Sequence, residues 1–536
     1  MKTEKSPEEK ARTKRLNADI MIAAGAIMAL CGLAGAIIAL SGRGDAPDWL
    51  FGGSGSARAV TGDWRNAAPR VAFRSWGPAP FARAKKEGKL VLLFMGPSYS
   101  AATARMAAET FGDAGTAAFV DAALVPVRVK SEDYPDLDRR YRSGGWPVVA
   151  LLLPDGVALD AGTSMTPETF RRWAGTVAGK AAAHPELLAR ADAEAAARRA
   201  QAAAARLRVG TPVTAEAAEA AVQDALADAW DRSRRTFDRR GPRFPRFERI
   251  AALASMKGDW ARNLAAEAAK GALIFQDPRD GGFLRVANPD GTPAALEKTA
   301  AVQAGALDAL CALEPAAARR ELAFLDRSFT PRGGPARWRG WESGYALDVK
   351  RFTASDGANF DRFRAEGWRE VGDGRLGDDA ELSRAVLSCA AASPAEKIRA
   401  RRVILRAAAY FDQAADVHDP RLLLDDAVAL GPALLAAGET RRALTVWRWM
   451  EKNMADGPAF LDRAATGVLP PEADRTAVPE LNARALAFAR RLAALLPESA
   501  SRDVRNRAGL LYAWLSGRSS ELDPAAWAAL AAGAPR

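Results

Sequence analysis

The 536-residue sequence has only two histidines, His184 and His418, and three cysteines. Zinc sites usually need clustered histidine or cysteine, and a Ser-His-Asp triad needs a histidine base, so this scarcity argues against both. No two cysteines are close enough in sequence to form a zinc ribbon or a Cys-x-x-Cys redox pair. We therefore expect neither a metal ion nor another cofactor.

The three cysteines are Cys31, Cys311 and Cys389. The last two lie in apolar, helix-like patterns, which favours two buried free thiols. A long-range disulfide between them is the alternative. If the two are adjacent in space, a thiol redox protein becomes one hypothesis for function.

Aromatic residues are also scarce, at 7%, and none is interleaved with a run of basic residues. Lysine and arginine total 76 against 65 acidic residues, which gives a net charge of +11. The excess is mostly arginine spread along the chain, so we expect no nucleic-acid partner. A positive surface facing acidic polymer or lipid headgroups stays open.

One long hydrophobic run is present, from Ile20 to Leu40. It is uncharged and has about the length that a bilayer requires. Lysines and arginines precede it, which predicts a cytoplasmic tail over residues 1–19, a transmembrane anchor over 20–41 and an extracytoplasmic remainder at the inner membrane. A cleaved signal peptide is the alternative, although its apolar core is normally shorter.

The rest of the chain predicts two folded parts. Residues 42–63 are rich in Gly and Ser and predict a flexible linker. Apolar strands at Leu90–Phe94, Leu124–Val129 and Val148–Leu153, separated by helical stretches, predict an α/β domain over residues 64–184. Residues 185–213 predict a solvated helical linker because they are rich in Ala, Arg and Glu.

From residue 214 to 536 the sequence shows helical patterns of about 12–18 residues and no convincing strand. Such paired helices build a solenoid or a closed α/α toroid, and we favour the toroid because no fixed-period repeat is visible. Functional loops of such a ring lie at one end. The longest loop-like segment is Arg332–Asp378.

Eight short segments, in order, resemble one family, which joins a thioredoxin-like domain to an α/α toroid of the six-hairpin glycosidase type and includes the spermatogenesis-associated thioredoxin-like protein. The resemblance covers the chain from about Trp64 to the C-terminus. The matching segments are Ser100–Ala104 with Met106 and Glu109–Asp113, Val129–Asp138, Gly144–Pro147, Phe237–Pro245, Asp280–Arg285, Ala295–Lys298, Leu424–Leu430 and Pro479–Asn482.

The departures from the family pattern fall on reactive positions. The family's Cys-His-Trp-Cys-His run corresponds to Ser100-Ala101-Ala102-Thr103-Ala104, so both redox cysteines are absent. An alcohol cannot carry out thiol–disulfide exchange, and Ser100 and Thr103 are expected to cap a helix instead. The motif histidines are also absent, so no base is left to activate a serine nucleophile.

The resemblance implies that Pro147 follows a cis peptide bond, as in thioredoxin folds. The same loop, with Trp146, holds extended peptides in redox-active relatives and could bind a peptide without a thiol.

Candidate residues in the helical part are carboxylates and tryptophans. Glycoside chemistry needs two carboxyl groups, and Glu297, Asp425 and Asp426 stand at family-matching positions. Trp338 and Trp341, with Glu342 beside them, could stack on a sugar ring. Structural roles in capping, ion pairing or packing are the alternative for each.

These observations support three hypotheses. The first is a membrane-anchored, redox-inactive binding or scaffolding protein with a protein or glycan ligand. The second is an enzyme that acts on carbohydrate or envelope polymer through the toroid. The third is the thiol redox protein described above.

Overall fold

The computed structural model describes residues 69–528, except for residues 98–99, 132–133, 143, 293–297, 329–374, 417–421, 465–475, 519–520, 524–525 and 527. All described residues belong to one compact unit, 57–536. Within them, no helix combines the length and apolarity needed to span a bilayer. The anchor predicted at residues 20–41 lies outside the described part of the chain.

The first domain is a five-stranded mixed sheet with helices on both faces. Its strands occur in the order β1-β3-β2-β4-β5, in which β1 and β2 run parallel to β3, and β4 is antiparallel to both β2 and β5. The elements are β1 Arg74–Ser75, α1 Pro78–Glu87, β2 Leu90–Gly96, α2 Ala101–Glu109, α3 Ala114–Ala123, β3 Leu124–Lys130, α4 Pro135–Tyr141, β4 Val148–Leu152, β5 Ala158–Gly162 and α5 Pro167–Ala183.

The central strand β2 explains why the sequence predicts this sheet. Every residue from Leu90 to Gly96 is buried, as expected of a strand covered on both faces. Leu92 and Phe94 enter one apolar cluster, while Leu93 and Met95 enter the other. A turn follows β4, and Gly156 adopts a positive φ of 92° there.

Helix α6, Pro185–Arg206, leads from the first domain to the second. Most of its residues are exposed, as expected of a solvated helix. Ala195 is buried against the first domain, and the indole Nε1 of Trp514 donates to the Arg206 carbonyl at 2.8 Å. Helix α6 therefore contacts the first domain through its middle and the second domain through its C-terminal end.

The second domain is helical. Its helices are α7 Ala215–Ala229, α8 Phe247–Ser255, α9 Asp259–Ala272, α10 Ala300–Leu310, α11 Pro315–Ser328, α12 Leu376–Ser388, α13 Pro394–Asp416, α14 Leu424–Ala436, α15 Thr440–Asn453, α16 Pro479–Leu495 and α17 Glu498–Ser516. The sequence predicts no strand in this domain, but Ala455–Asp456 (β6) and Ala459–Phe460 (β7) form a short antiparallel hairpin. Each strand has two residues, which is too short to give an alternating pattern.

The helices form hairpins arranged as a toroid-like ring. The inner helices α8, α10, α12, α14 and α16 contact one another in that order, and each is followed by an outer helix that packs against it. Because each hairpin reverses the chain twice, the inner helices are parallel and begin at the same end of the ring. The described residues that directly precede these helices therefore lie at that end.

Cys311 and Cys389 form a disulfide, with Cα atoms 5.6 Å apart. Each cysteine stands at the C-terminal cap of an inner helix, α10 or α12. The favoured interpretation of two free buried thiols is therefore wrong, and the alternative, a long-range disulfide, is correct. The pairing depends on the lateral contact of α10 with α12, which no local sequence pattern reveals.

Candidate functional site

Ser100 and Thr103 occupy the start of α2, beside the end of β2. Ser100 is the N-cap, and its Oγ accepts a hydrogen bond from the Thr103 backbone N–H at 3.2 Å. Both residues are buried. The predicted capping role is therefore confirmed for Ser100 but not for Thr103, which contributes its backbone N–H and whose Oγ1 has no hydrogen-bond partner among the described residues.

The peptide bond between Trp146 and Pro147 is cis, as the resemblance predicts. The Trp146 Nε1–H donates to Asp138 at 2.8 Å. The guanidinium carbon of Arg142 lies 5.1 Å from the indole centroid, and that of Arg285, from the helical domain, lies 5.5 Å from it. The ring is therefore part of the contact between the two domains.

Helix α4 supplies the charged part of this contact. Asp136 forms an ion pair with Arg463 of the helical domain, and the two side chains are 0% and 2% exposed. One turn later, Arg139 donates to Asp425 with N–O distances of 3.3 and 3.1 Å. The segment that resembles the family at Val129–Asp138 thus leads into a helix that docks one domain on the other.

Asp425 begins the inner helix α14, and its carboxylate is held as an anion. Burial alone would raise its pKa, but the positive charges of Arg139, Arg375 and Arg484 outweigh that effect and hold the pKa below its ordinary value. The two carboxylate oxygens are both engaged by Arg139. This arrangement suits an ion pair better than a proton donor.

Asp426 has a capping role. Its carboxylate accepts hydrogen bonds from the backbone N–H groups of Gly377 and Leu423, at 3.0 and 3.1 Å, and from Arg375 at 3.0 Å. Burial raises its pKa above the ordinary value, although Arg375 and the two N–H groups act in the opposite direction. The structure therefore ties α12 to α14 through this side chain.

The other predicted candidates cannot be placed. Glu297, Trp338, Trp341 and Glu342 lie outside the described residues. The proposed pairing of Glu297 with Asp425 or Asp426 stays a prediction.

Other family-matching residues hold the helical domain together. Lys298 is fully buried, and its Nζ donates to Asp277 and Asp280 at 2.8 and 2.6 Å. The side-chain amide of Asn482 exchanges two hydrogen bonds with the backbone of Phe460, at 2.8 and 2.9 Å. These buried polar groups are satisfied within the fold, as stability requires.

A charged cluster on the inner helices was not found from the sequence. Helix α12 is largely buried, and its partly exposed residues before the last turn form one stripe of Asp378, Glu381 and Arg384. Arg384 pairs with Asp308 of α10. Arg484 of α16 pairs with Glu381 at 3.3 Å. Charges at positions 378, 381 and 384 were the available signal, because this three-residue spacing places them on one face of a helix.

Behind this cluster, the outer helix α11 buries Glu321. Its side chain is 0% exposed, and neither carboxylate oxygen has a hydrogen-bond partner among the described residues. Burial, together with the negative charge of Asp308, raises its pKa well above the ordinary value. Glu321 therefore keeps its proton to a higher pH than an exposed glutamate does.

The described residues contain no group of three or more His, Cys, Asp or Glu side chains placed to hold a metal ion. The described residues form a thioredoxin-like domain followed by a helical, toroid-like domain. Charged side chains lie at the contact between the two domains and on the inner helices.

Comparison with known proteins agrees with this division. The family model Thioredox_DsbH, described as "Protein of unknown function, DUF255", matches residues 64–188. An uncharacterized protein of Caenorhabditis elegans is 31% identical over 104 residues, which is 18% of this chain and 14% of that protein.

Three solved structures are similar to part of this chain. A sugar epimerase from a ruminal bacterium is 12% identical, with a TM-score of 0.39 over 56% of this chain and 85% of that one. Cellobiose 2-epimerase from Bacillus thermoamylovorans is 10% identical, with a TM-score of 0.39 over 55% and 86%. A protein from Actinoplanes is 16% identical, with a TM-score of 0.35 over 55% and 80%.

Proposed function

We propose that the protein is a membrane-anchored, redox-inactive binding or scaffolding protein on the extracytoplasmic face of the inner membrane. The observation that carries this proposal is the start of α2, where the Ser100 Oγ accepts a backbone hydrogen bond. A thioredoxin-type reaction needs a nucleophilic thiolate at this helix N-terminus. Because Ser100 is an alcohol that caps the helix, the domain keeps the thioredoxin-like fold but lacks the thiol–disulfide exchange reaction.

The contact between the domains supports a scaffolding role. The loop that carries cis Pro147 and Trp146 would hold an extended peptide in a redox-active relative. Here the guanidinium groups of Arg142 and Arg285 both lie near the Trp146 ring, and its Nε1–H donates to Asp138. The loop thereby helps to hold the helical domain in place. The ligand would then bind the helical domain rather than this loop.

Two features support the proposed compartment. The apolar run from Ile20 to Leu40 follows a basic segment, which favours an anchor with a cytoplasmic N-terminus. The Cys311–Cys389 disulfide is of the kind that persists in oxidising compartments such as the periplasm. Both features support a chain with a cytoplasmic N-terminus and an extracytoplasmic remainder.

The two alternatives have less support. Asp425 and Asp426 are each engaged by an arginine, which weighs against a glycosidase-type pair that uses them. A thiol redox reaction through the disulfide would need access to its sulfur atoms, and Cys389 is 1% exposed while Cys311 is half-buried. Neither alternative explains why the thioredoxin-like domain is docked through α4.

The test is a disulfide-reductase assay on the full-length protein in detergent, with insulin and a thiol reductant as substrates. We expect no turnover above background. The matched control is the variant Ser100→Cys/Thr103→Cys, which supplies the missing thiols on the same backbone. Turnover by the unmodified protein would overturn the proposal, and a topology reporter that shows a cytoplasmic C-terminus would overturn its location.

A further inference from the structure

Positive charge is unevenly distributed within the thioredoxin-like domain. The segment from Arg70 to Lys89, which contains β1 and α1, has six basic residues and one acidic residue, a net charge of +5. The rest of the domain, residues 90–184, has nine basic and ten acidic residues, a net charge of −1. The excess charge of this domain therefore belongs to one short segment.

The fold places this charge on one exposed surface. Helix α1 buries Phe81 against the sheet, and its opposite side exposes Lys86, with Arg83 and Lys85 on either side of it. Arg74 is exposed on β1, the edge strand that pairs with β3. Helix α1 packs on the same strand, β3. We call these four basic residues, Arg74, Arg83, Lys85 and Lys86, the α1 surface.

Ion pairs within the domain do not neutralise the α1 surface. Glu87, the acidic residue of the segment, lies 2.5 Å from Arg83 and 3.2 Å from Lys89. Lys85 and Lys86 form no ion pair with any described residue. Exposed charges of one sign repel each other and do not stabilise the fold. Their charge is available to an acidic partner.

The α1 surface lies away from the helical domain. Helix α1 ends at Glu87, immediately before β2, so its basic last turn is at the end of the sheet where β2 and β3 begin. The helical domain contacts the other end: Trp146, which lies near Arg285, precedes β4, and Val148 of β4 pairs with Met95 near the end of β2. A partner can therefore reach α1 without displacing the ring.

The chain enters the domain on the same side. Strand β1 runs parallel to β3, so the residues that lead into it come from the end of the sheet where β3 begins. This is also the end at which α1 finishes. Residues 42–68 separate the predicted anchor, 20–41, from Pro69, the first described residue. An anchored chain therefore brings the α1 surface to the membrane before any other part of the fold.

A lipid surface fits these features better than a protein or a soluble polymer. Anionic headgroups attract clustered Lys and Arg side chains within a Debye length. Between its basic residues the exposed side of α1 carries Ala79 and Ala82, so no bulky or acidic side chain there would keep a planar surface at a distance. The anchor would also hold the domain at a high effective concentration near the bilayer.

We propose that the α1 surface docks the thioredoxin-like domain on anionic lipid headgroups, with the helical domain directed away from the bilayer. This inference rests on the membrane anchoring proposed above. It adds the surface that contacts the membrane and the class of lipid that this surface selects.

The test is lysine footprinting of the full-length protein in nanodiscs of phosphatidylcholine alone or mixed with phosphatidylglycerol. A water-soluble amine reagent modifies Lys85 and Lys86, and mass spectrometry measures each rate. We expect both rates to be several-fold lower with phosphatidylglycerol and to recover at high salt, because salt screens exposed charges. Lys257, exposed on the helical domain, is the internal reference and should not change.

Variants separate docking by the α1 surface from a general effect of charge. Arg74→Gln/Arg83→Gln removes two charges and keeps both lysines that are measured. Each basic residue near an anionic surface strengthens binding about fivefold, so this variant should lose most of the protection. The matched control is Arg441→Gln/Arg448→Gln, at exposed positions on the outer helix α15, which should keep it. Urea unfolding confirms that both variants fold.

Three outcomes would overturn the inference. They are equal labelling of Lys85 and Lys86 in the two nanodiscs, equal loss of protection in the variant and its control, and protection in both nanodiscs relative to detergent, which would indicate a second copy of the chain. None of them bears on redox activity, so the redox-inactive role would stand. Reductase turnover or a cytoplasmic C-terminus would refute the proposed function whatever the labelling shows, so the two failures are distinguishable.

Discussion

Arg139 of the thioredoxin-like domain donates to both carboxylate oxygens of Asp425, which lies 286 residues later in the first turn of an inner helix. The pair places a thioredoxin-type helix directly on the end of the ring where the inner helices begin. Asp136, on the same helix, is buried against Arg463. The two domains therefore share a charged contact rather than a flexible connection alone.

The two ion pairs of α4 should differ in their contribution to stability. Removing one partner of a buried pair leaves an unpaired buried charge, so Arg463→Met is expected to lower the free energy of unfolding by about 3–5 kcal/mol. Arg139 is 33% exposed, so Arg139→Ala should lower it by only about 1 kcal/mol or less. Urea unfolding of the full-length protein measures both.

A double variant separates the contribution of the ion pair from the cost of leaving one buried charge unpaired. Asp136→Leu/Arg463→Met removes both buried charges and should be more stable than Arg463→Met alone, because no charge is left uncompensated. Limited proteolysis within residues 185–213 gives an independent measure, since undocked domains should expose α6. Equal stability of the single and double variants would contradict the assigned role of Asp136.

The cap of α2 gives a second prediction. Ser100→Ala removes the Oγ that accepts the Thr103 N–H and should destabilise the first domain by about 1 kcal/mol. Ser100→Asp keeps an acceptor and should restore part of the loss. Thermal unfolding, followed by the fluorescence of tryptophans such as Trp146, measures the change. If Ser100→Ala and Ser100→Asp destabilise the domain equally, packing at this position contributes more to stability than capping does.

The thioredoxin-like domain was largely predictable because its signals are local. The apolar strand Leu90–Gly96, the break before Ser100 and the Trp146-Pro147 step follow one another along the chain. Short elements were missed: β1 spans two residues and α4 spans seven. Elements of that length carry too little periodicity to stand out from loops.

The helical domain shows the limit of such reasoning. Its helices were visible from their apolar spacing, but their lateral order was not. The Cys311–Cys389 disulfide, the Asp308–Arg384 pair and the Arg484–Glu381 pair all depend on which helices become neighbours in the ring. Asp425 stood out in sequence as a catalytic candidate, whereas its partner Arg139 lies in another domain.

The disulfide should contribute strongly to the stability of the ring. It closes a loop across 78 residues, for which the chain-entropy treatment gives roughly 4–5 kcal/mol. Cys311→Ala/Cys389→Ala should therefore unfold at clearly lower urea concentration than the unmodified protein. Reduction of the unmodified protein should give a similar shift, whereas reduction of the double variant should change nothing further. A shift in the reduced double variant would point to another redox-sensitive group.

Glu321 predicts a dependence of stability on pH. Its pKa in the folded protein is raised well above the ordinary value of 4.5 by burial and by Asp308. The unfolded chain therefore loses the Glu321 proton first as pH rises, which favours unfolding. This penalty is absent below about pH 4.5 and grows by about 1.4 kcal/mol per pH unit until the folded pKa is reached.

Glu321→Gln keeps the shape of the side chain and cannot ionise, so it removes this penalty. The variant should match the unmodified protein at about pH 4 and exceed its stability increasingly at about pH 6 and 8, when urea unfolding is compared at each pH. Glu219→Gln, at an exposed position on α7, controls for the effect of the substitution itself. A stability difference for Glu321→Gln that stays constant with pH would mean that Glu321 has the same pKa in the folded and unfolded chains, contrary to its complete burial.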